Sequence, residues 1–142
     1  MLSEARKAAI LDRIRPVPIV RTLGMRIDEI DEGWCRATVP LDRNLVGLYG
    51  AYHGGLLTTA ADSVAFVAIV TLTGPDEHLT TSDLHIRFLA ACLSEVRVEA
   101  RVIKIGRTLC PVQVNLFDTA GVLVAVSQVT YFRLAAPPGK TT

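Results

Sequence analysis

HGGLLTTAADSVAFVAIVTLTGP, residues 53–75, decides how the rest of the chain must be arranged. From Gly54 to Thr73 every residue is apolar or small except one charge, Asp62. The length approaches the roughly 20 residues that a membrane-spanning helix needs. Asp62 sits near its middle, however, and Thr58, Thr59, Ser63 and Thr71 dilute it. The segment therefore reads as a helix over 54–72, buried on all sides by protein and stopped by Gly74-Pro75. A single apolar helix must be covered, and what lies on either side of it supplies the cover.

Downstream the chain is strand after strand. Leu84, Ile86 and Phe88 alternate with Asp83, His85 and Arg87. Val96, Val98, Ala100 and Val102 alternate with Glu95, Arg97, Glu99 and Arg101, and Val112, Val114 and Leu116 alternate with Gln113 and Asn115. After a turn at Asp118 to Gly121, Val122 to Arg133 is the last strand. Upstream, Ile27 to Pro40 reads as a hairpin turning at Asp31-Glu32-Gly33, with Cys35, Ala37 and Val39 on one face. Residues 41–52, LDRNLVGLYGAY, read as a loop. Leu2 to Arg15 has helical spacing, with Ser3 as N-cap and Pro16 and Pro18 ending it. Consecutive strands with short links are expected to pair antiparallel. The predicted fold is α+β, one domain over 1–142, with an antiparallel sheet wrapped around a long central helix and a loose tail over 135–142.

The chain has 142 residues, half of them apolar, and a formal net charge of +1. That balance argues against a general polyanion binder, so no nucleic acid is expected. Cys35, Cys92 and Cys110 are widely spaced and form no C-x-x-C, which fits reduced thiols and a cytoplasmic location. Residues 1–15 hold charges among the apolar positions, so no signal core is read there. His53, His78 and His85 show no metal-ligand spacing, and no metal is expected.

Asp62 carries the chemistry or needs a structural explanation. An ionised carboxylate in an apolar helix costs several kcal/mol unless it is paired, hydrogen-bonded or wetted. It is either a structural Asp held by Thr58, Thr59 or a strand, or a general base or nucleophile in a cleft. His53-Gly54-Gly55 precedes the helix, and exposed amides at a helix N-terminus suit a developing oxyanion. His53 itself is a base, a cap or a packing residue. Gly54 and Asp62 are eight residues apart, about 12 Å of rise and roughly 80° of rotation. One helix therefore cannot aim both at one substrate atom. If both serve one substrate, they come from two chains related by a two-fold axis.

With GAYHGGLLTTAADS (50–63), TTSDLHIRFL (80–89), VIKIGRT (102–108) and DTAGVLVAVSQVTYF (118–132), the chain resembles the hotdog-fold acyl-CoA thioesterases of the phenylacetate-pathway (PaaI-like) group. The similarity runs from about residue 20 to residue 133. It implies a homodimer with a continuous sheet and shared sites, often paired again into a tetramer, and hydrolysis of acyl-CoA without a cofactor, coenzyme A being part of the substrate. Carried over residue by residue, it implies that the Gly54 amide holds the thioester carbonyl. It makes Asp62 of the partner subunit the general base or nucleophile and Thr81 the group that orients the water or the acid. It places His53 near the thioester, and Gly106 and Arg107 near the nucleotide end of coenzyme A. Gly47 stands where the family often has Asn or Gln six residues before the histidine, and Asn44 is the nearest substitute.

The acyl pocket is expected between the two helices and the 41–52 loop, next to Gly55. Tyr49 and Tyr52 there are candidates to stack on an aryl group or simply to pack. An aryl or medium-chain acyl group is expected. Two other readings compete: hydration or dehydration of an acyl thioester, and an acyl-CoA-binding module without turnover.

Overall fold

The computed structural model describes residues 1–139, so residues 140–142 of the expected tail lie outside the described residues. In chain order the elements are α1 (Glu4–Ile14), α2 (Pro18–Leu23), β1 (Arg26–Asp31), β2 (Trp34–Val39), α3 (Gly54–Thr73), β3 (His78–Phe88), β4 (Val96–Val102), β5 (Leu109–Phe117) and β6 (Leu123–Leu134). Residues 41–52 hold one short 3-10 turn, Arg43–Leu45, and are pinched by a Val46–Tyr52 bridge.

Local chemistry explains the boundaries. The Ser3 side chain accepts from the Arg6 N–H and caps α1, whose Ile10 and Ile14, one turn apart, are buried. Pro18 does not end a helix, as its sequence position implied, but opens α2. At the first helical position the missing N–H has no intrahelical partner to lose. Gly24, in the left-handed conformation at φ 65°, closes α2. Gly74, at φ 118°, stops α3.

The six strands form one antiparallel sheet in the order β1-β2-β4-β5-β6-β3. This corrects the expectation that consecutive strands pair throughout, because β3 lies against β6 and β4 against β2. The chain leaves β2, crosses the sheet face as α3 and comes down at the opposite edge. Residues 89–95 then carry it back, anchored by Leu89 N–H to the Val124 carbonyl (2.8 Å). Inward-facing residues of β2, β4 and β5, among them Cys35, Ala37, Val39, Val96, Val98, Ala100, Val112, Val114 and Leu116, are wholly buried against α3. Each Val or Leu among them contributes about 1.5–3 kcal/mol of transfer free energy. Ala60, Ala61, Ala65 and Ala68 on α3 are equally buried, and their small size lets the sheet approach closely. The membrane-length apolar helix is thus the core helix of the fold.

β3 carries one irregularity, and it lies opposite the lone charge of α3. The register against β6 runs Thr81–Tyr131 and then Asp83–Thr130, so Ser82 is an extra, bulged residue. A strand alternates sides every residue, and a bulge resets that parity. Before the bulge Leu79 and Thr81 face α3; after it Leu84 and Ile86 do.

Candidate active site

Asp62 lies on α3 facing the bulge. The Thr81 hydroxyl donates to its Oδ1 at 2.8 Å, and the Tyr131 hydroxyl donates to its backbone carbonyl at 2.7 Å. Among the described residues Oδ2 accepts no hydrogen bond, although the Tyr131 hydroxyl lies close to the carboxylate. Tyr131 is buried, its ring edge-on to Phe66 at 5.9 Å between centroids. Burial first, and the nearby Asp62 charge second, push its phenol well above the ordinary value, so it stays a donor. The bulge brings Thr81 onto the helix side, since unbroken alternation with Leu84 and Ile86 would point it away.

Asp62, Ser63, Thr81 and Tyr131 line a cavity of ≈ 420 Å³. Its other walls are mostly apolar, from Phe66, Leu79 and the α1–α2 corner, including Val17 and Ile19, with Arg13 and Thr80 adding polar groups. The volume falls within the range of about 300–1,000 Å³ common for small-molecule sites.

Gly54 lies elsewhere. It begins α3, and its amide is the one N–H of the first turn without an acceptor among the described residues. Gly55 N–H donates to His53 Nδ1 (2.9 Å), and Leu56 and Leu57 N–H both donate to the His53 carbonyl. His53 is therefore the N-cap, and an Nδ1 that accepts carries no proton. The Phe88 ring packs on the Gly54 Cα, where an added Cβ would stand 3.1 Å from Phe88 Cζ. Gly54 opens, with Tyr52, Leu57, Phe88 and the 89–92 segment, onto a separate cavity of ≈ 390 Å³. Within one chain the Asp62 and Gly54 halves are not brought together.

The remaining candidates lie outside both linings, apart from Tyr52. Tyr49 is 88% exposed, whereas Tyr52 is buried and donates to the Pro40 carbonyl, so it packs. Asn44 is exposed in the 3-10 turn, and Gly47 N–H donates to the Ala51 carbonyl. Gly106 sits in the β4–β5 turn so close to the Leu109 carbonyl that no side chain fits, and the adjacent Arg107 is exposed. Sequence reasoning missed Tyr131, Phe66, Phe88 and the α1–α2 corner. Phe66 alone had a signal, lying four residues after Asp62 and so on the same helix face.

A sheet wrapped around one buried helix, with an acid on that helix facing a cavity, defines a hotdog-fold protein with an acid-bearing site. The model of the Thioesterase superfamily matches residues 49–125, more than half of the chain, and the chain belongs to that family. A thioesterase family protein from Silicibacter pomeroyi is 26% identical and superposes with a TM-score of 0.84 over 92% of this chain and 99% of its own. The PaaI protein of Escherichia coli, from the phenylacetic acid degradation operon, shares the fold (TM-score 0.86, 19% identity, 96% and 99% covered). A Haemophilus influenzae protein assigned as an esterase is 26% identical over 78% of this chain and 81% of its own length. The chain is a thioester hydrolase.

Proposed function

We propose that this protein hydrolyses the thioester of aryl- or medium-chain acyl-CoA, in a site that two chains complete. The observation that carries the reading is the Thr81–Asp62 hydrogen bond on the wall of a largely apolar cavity. It leaves the second carboxylate oxygen without a hydrogen bond among the described residues, which suits a base toward water. In the proposed reaction the thioester carbonyl sits on Gly54 N–H at the helix N-terminus. Asp62 of the partner subunit takes a proton from water as the water oxygen bonds to the carbonyl carbon. The amide and helix dipole stabilise the oxyanion. Collapse breaks the C–S bond and releases the coenzyme A thiolate and the free acid. No cofactor takes part.

A homodimer is supported by the sheet's two edges. β1 is short and charged, RIDEID, as protected edges are. β3 is an 11-residue edge strand, and near the start of α3 Leu48 (90%), Tyr49 and Phe88 stand exposed. Antiparallel pairing of β3 with its symmetry mate would continue the sheet and set two α3 helices antiparallel. The three buried, unpaired cysteines suit a reducing, cytoplasmic compartment.

The test is free-thiol release from aryl-, short-, medium- and long-chain acyl-CoAs, run beside Asp62→Asn. Turnover that collapses in the variant supports the reading. Equal turnover in the variant removes Asp62 from the chemistry, and tight binding without turnover in the wild type makes the protein an acyl-CoA-binding module.

A further inference from the structure

We propose that the α1–α2 corner, through Val17 and Ile19, sets the length of acyl group that the Asp62 cavity accepts. This rests on Asp62 marking the reacting end of the site. The residues matched by the family model, 49–125, include Gly54, Asp62 and Thr81 but none of α1 or α2. Yet the corner lines the same cavity as Asp62 and Thr81. Chemistry and selection thus come from different parts of the chain.

The corner is built to hold position. Val17 is extended at φ −62°, ψ 126°, and its N–H donates to the Ile14 carbonyl (3.0 Å). Pro18 fixes the next φ. Met25 N–H returns to the Val20 carbonyl (3.0 Å), closing the far end of α2. Arg13 lies 5.2 Å from the centre of the Phe66 ring and donates to the Pro75 carbonyl, filling another part of the wall. Ile19 is 40% exposed, so it stands at the rim where the cavity meets solvent. An acyl tail that outgrows the cavity must pass Ile19. A larger side chain there closes the exit, and a smaller one opens it. Because Ile19 is not a core residue, both changes leave the packing of α3 and the sheet untouched.

The experiment measures dissociation constants of butyryl-, hexanoyl-, octanoyl-, decanoyl-, dodecanoyl- and palmitoyl-CoA for Asp62→Asn protein, alone and combined with Ile19→Trp or Ile19→Ala. kcat/KM for the same series is measured with intact Asp62. Ile19→Trp is expected to weaken long chains relative to butyryl-CoA by about fourfold for each methylene it excludes. Ile19→Ala is expected to move the preferred length upward. Leu89→Trp, beside the Gly54 cavity, serves as the contrast. A profile that shifts in parallel for every chain length, or that follows Leu89 and ignores Ile19, overturns the proposal. The binding series does not depend on turnover. Failure of catalysis with a length shift intact therefore counts against the hydrolytic role of Asp62 and leaves the corner standing.

Discussion

Thr81 Oγ1 lies 2.8 Å from Asp62 Oδ1, and it reaches that oxygen because Ser82 bulges out of β3. The bond fixes the carboxylate rotamer and occupies one oxygen. It joins an edge strand to the core helix at the one charge that helix carries.

Asp62→Asn keeps shape and loses the base. Turnover should fall by about 10²–10⁴-fold, the usual contribution of a positioned base. Thr81→Ala should cost roughly 10- to 100-fold, mostly in kcat, as the loss of a hydrogen bond to a charged carboxylate, worth about 1.5–3 kcal/mol, implies. Thr81→Ser should recover most of it. Steady-state kinetics on one acyl-CoA checks all three, and a Thr81→Ala enzyme as fast as wild type would leave the bond with a structural role only.

Gly54→Pro is the sharpest change at the other half. Proline is well suited to the first helical position, and His53 already has the extended conformation (φ −62°, ψ 131°) that a following proline requires. The ring must displace Phe88, which is half exposed and free to move. The helix should therefore persist by circular dichroism while the amide donor disappears. Loss of one oxyanion donor costs about 10²–10³-fold in kcat. Full activity would mean that the Gly54 N–H does not hold the carbonyl.

If the two halves meet only across subunits, two dead variants should repair each other. Equal amounts of Asp62→Asn and Gly54→Pro, unfolded and refolded together, give half heterodimers. Each heterodimer has one intact site of two, so about one quarter of wild-type activity should return. Activity no higher than that of the separate variants would place both groups of a site in one chain.

Tyr131 gives the protein an alkaline limit. Its phenol is raised above 10.0 in the folded chain, chiefly by burial. Above that pH the unfolded chain gives up a proton that the folded chain keeps, so the stability contribution is complete below pH 10 and is lost as pH rises. The buried Cys35 thiol, raised from 9.0, acts in the same direction from a lower pH. Urea unfolding between about pH 8 and pH 11 should show a fall that is shallower above about pH 10 in Tyr131→Phe. Below it that variant should be less stable by about 1 kcal/mol, for the bond to the Asp62 carbonyl.

Cys35, Cys92 and Cys110 are at most 1% exposed, and burial raises all three thiols. Folded protein should react with a thiol reagent far more slowly than protein in denaturant. Fast labelling of the folded chain would show that one of them reaches the surface.

The parts of this fold that were legible in the sequence are those written in local patterns. The span of α3 showed in its run of apolar and small residues with Asp62 as the one charge, and β4 and β5 showed in strict alternation. Asp62 stood out as a lone charge. Pairings between distant segments have no such local mark, so the placement of β3 beside β6 was not legible. Pro18 misled because proline as a residue type can either follow the end of one helix or open the next, and here it opens α2. The α1–α2 corner was missed because nothing in its own pattern says which helix face it will meet. Thr81 and Leu84 were both expected to matter, yet their odd and even positions put them on opposite faces until Ser82 reconciles them.

That single added residue works like a frame shift in a two-letter code. Regularising β3 by deleting Ser82 would give a straighter strand with unbroken pairing, the kind of change a designer makes to improve an edge. Either Thr81 or the run from Leu84 would then turn its side chains to the opposite face. The price of a more ideal strand would be either Asp62 without its hydroxyl or Leu84 and Ile86 turned away from the helix.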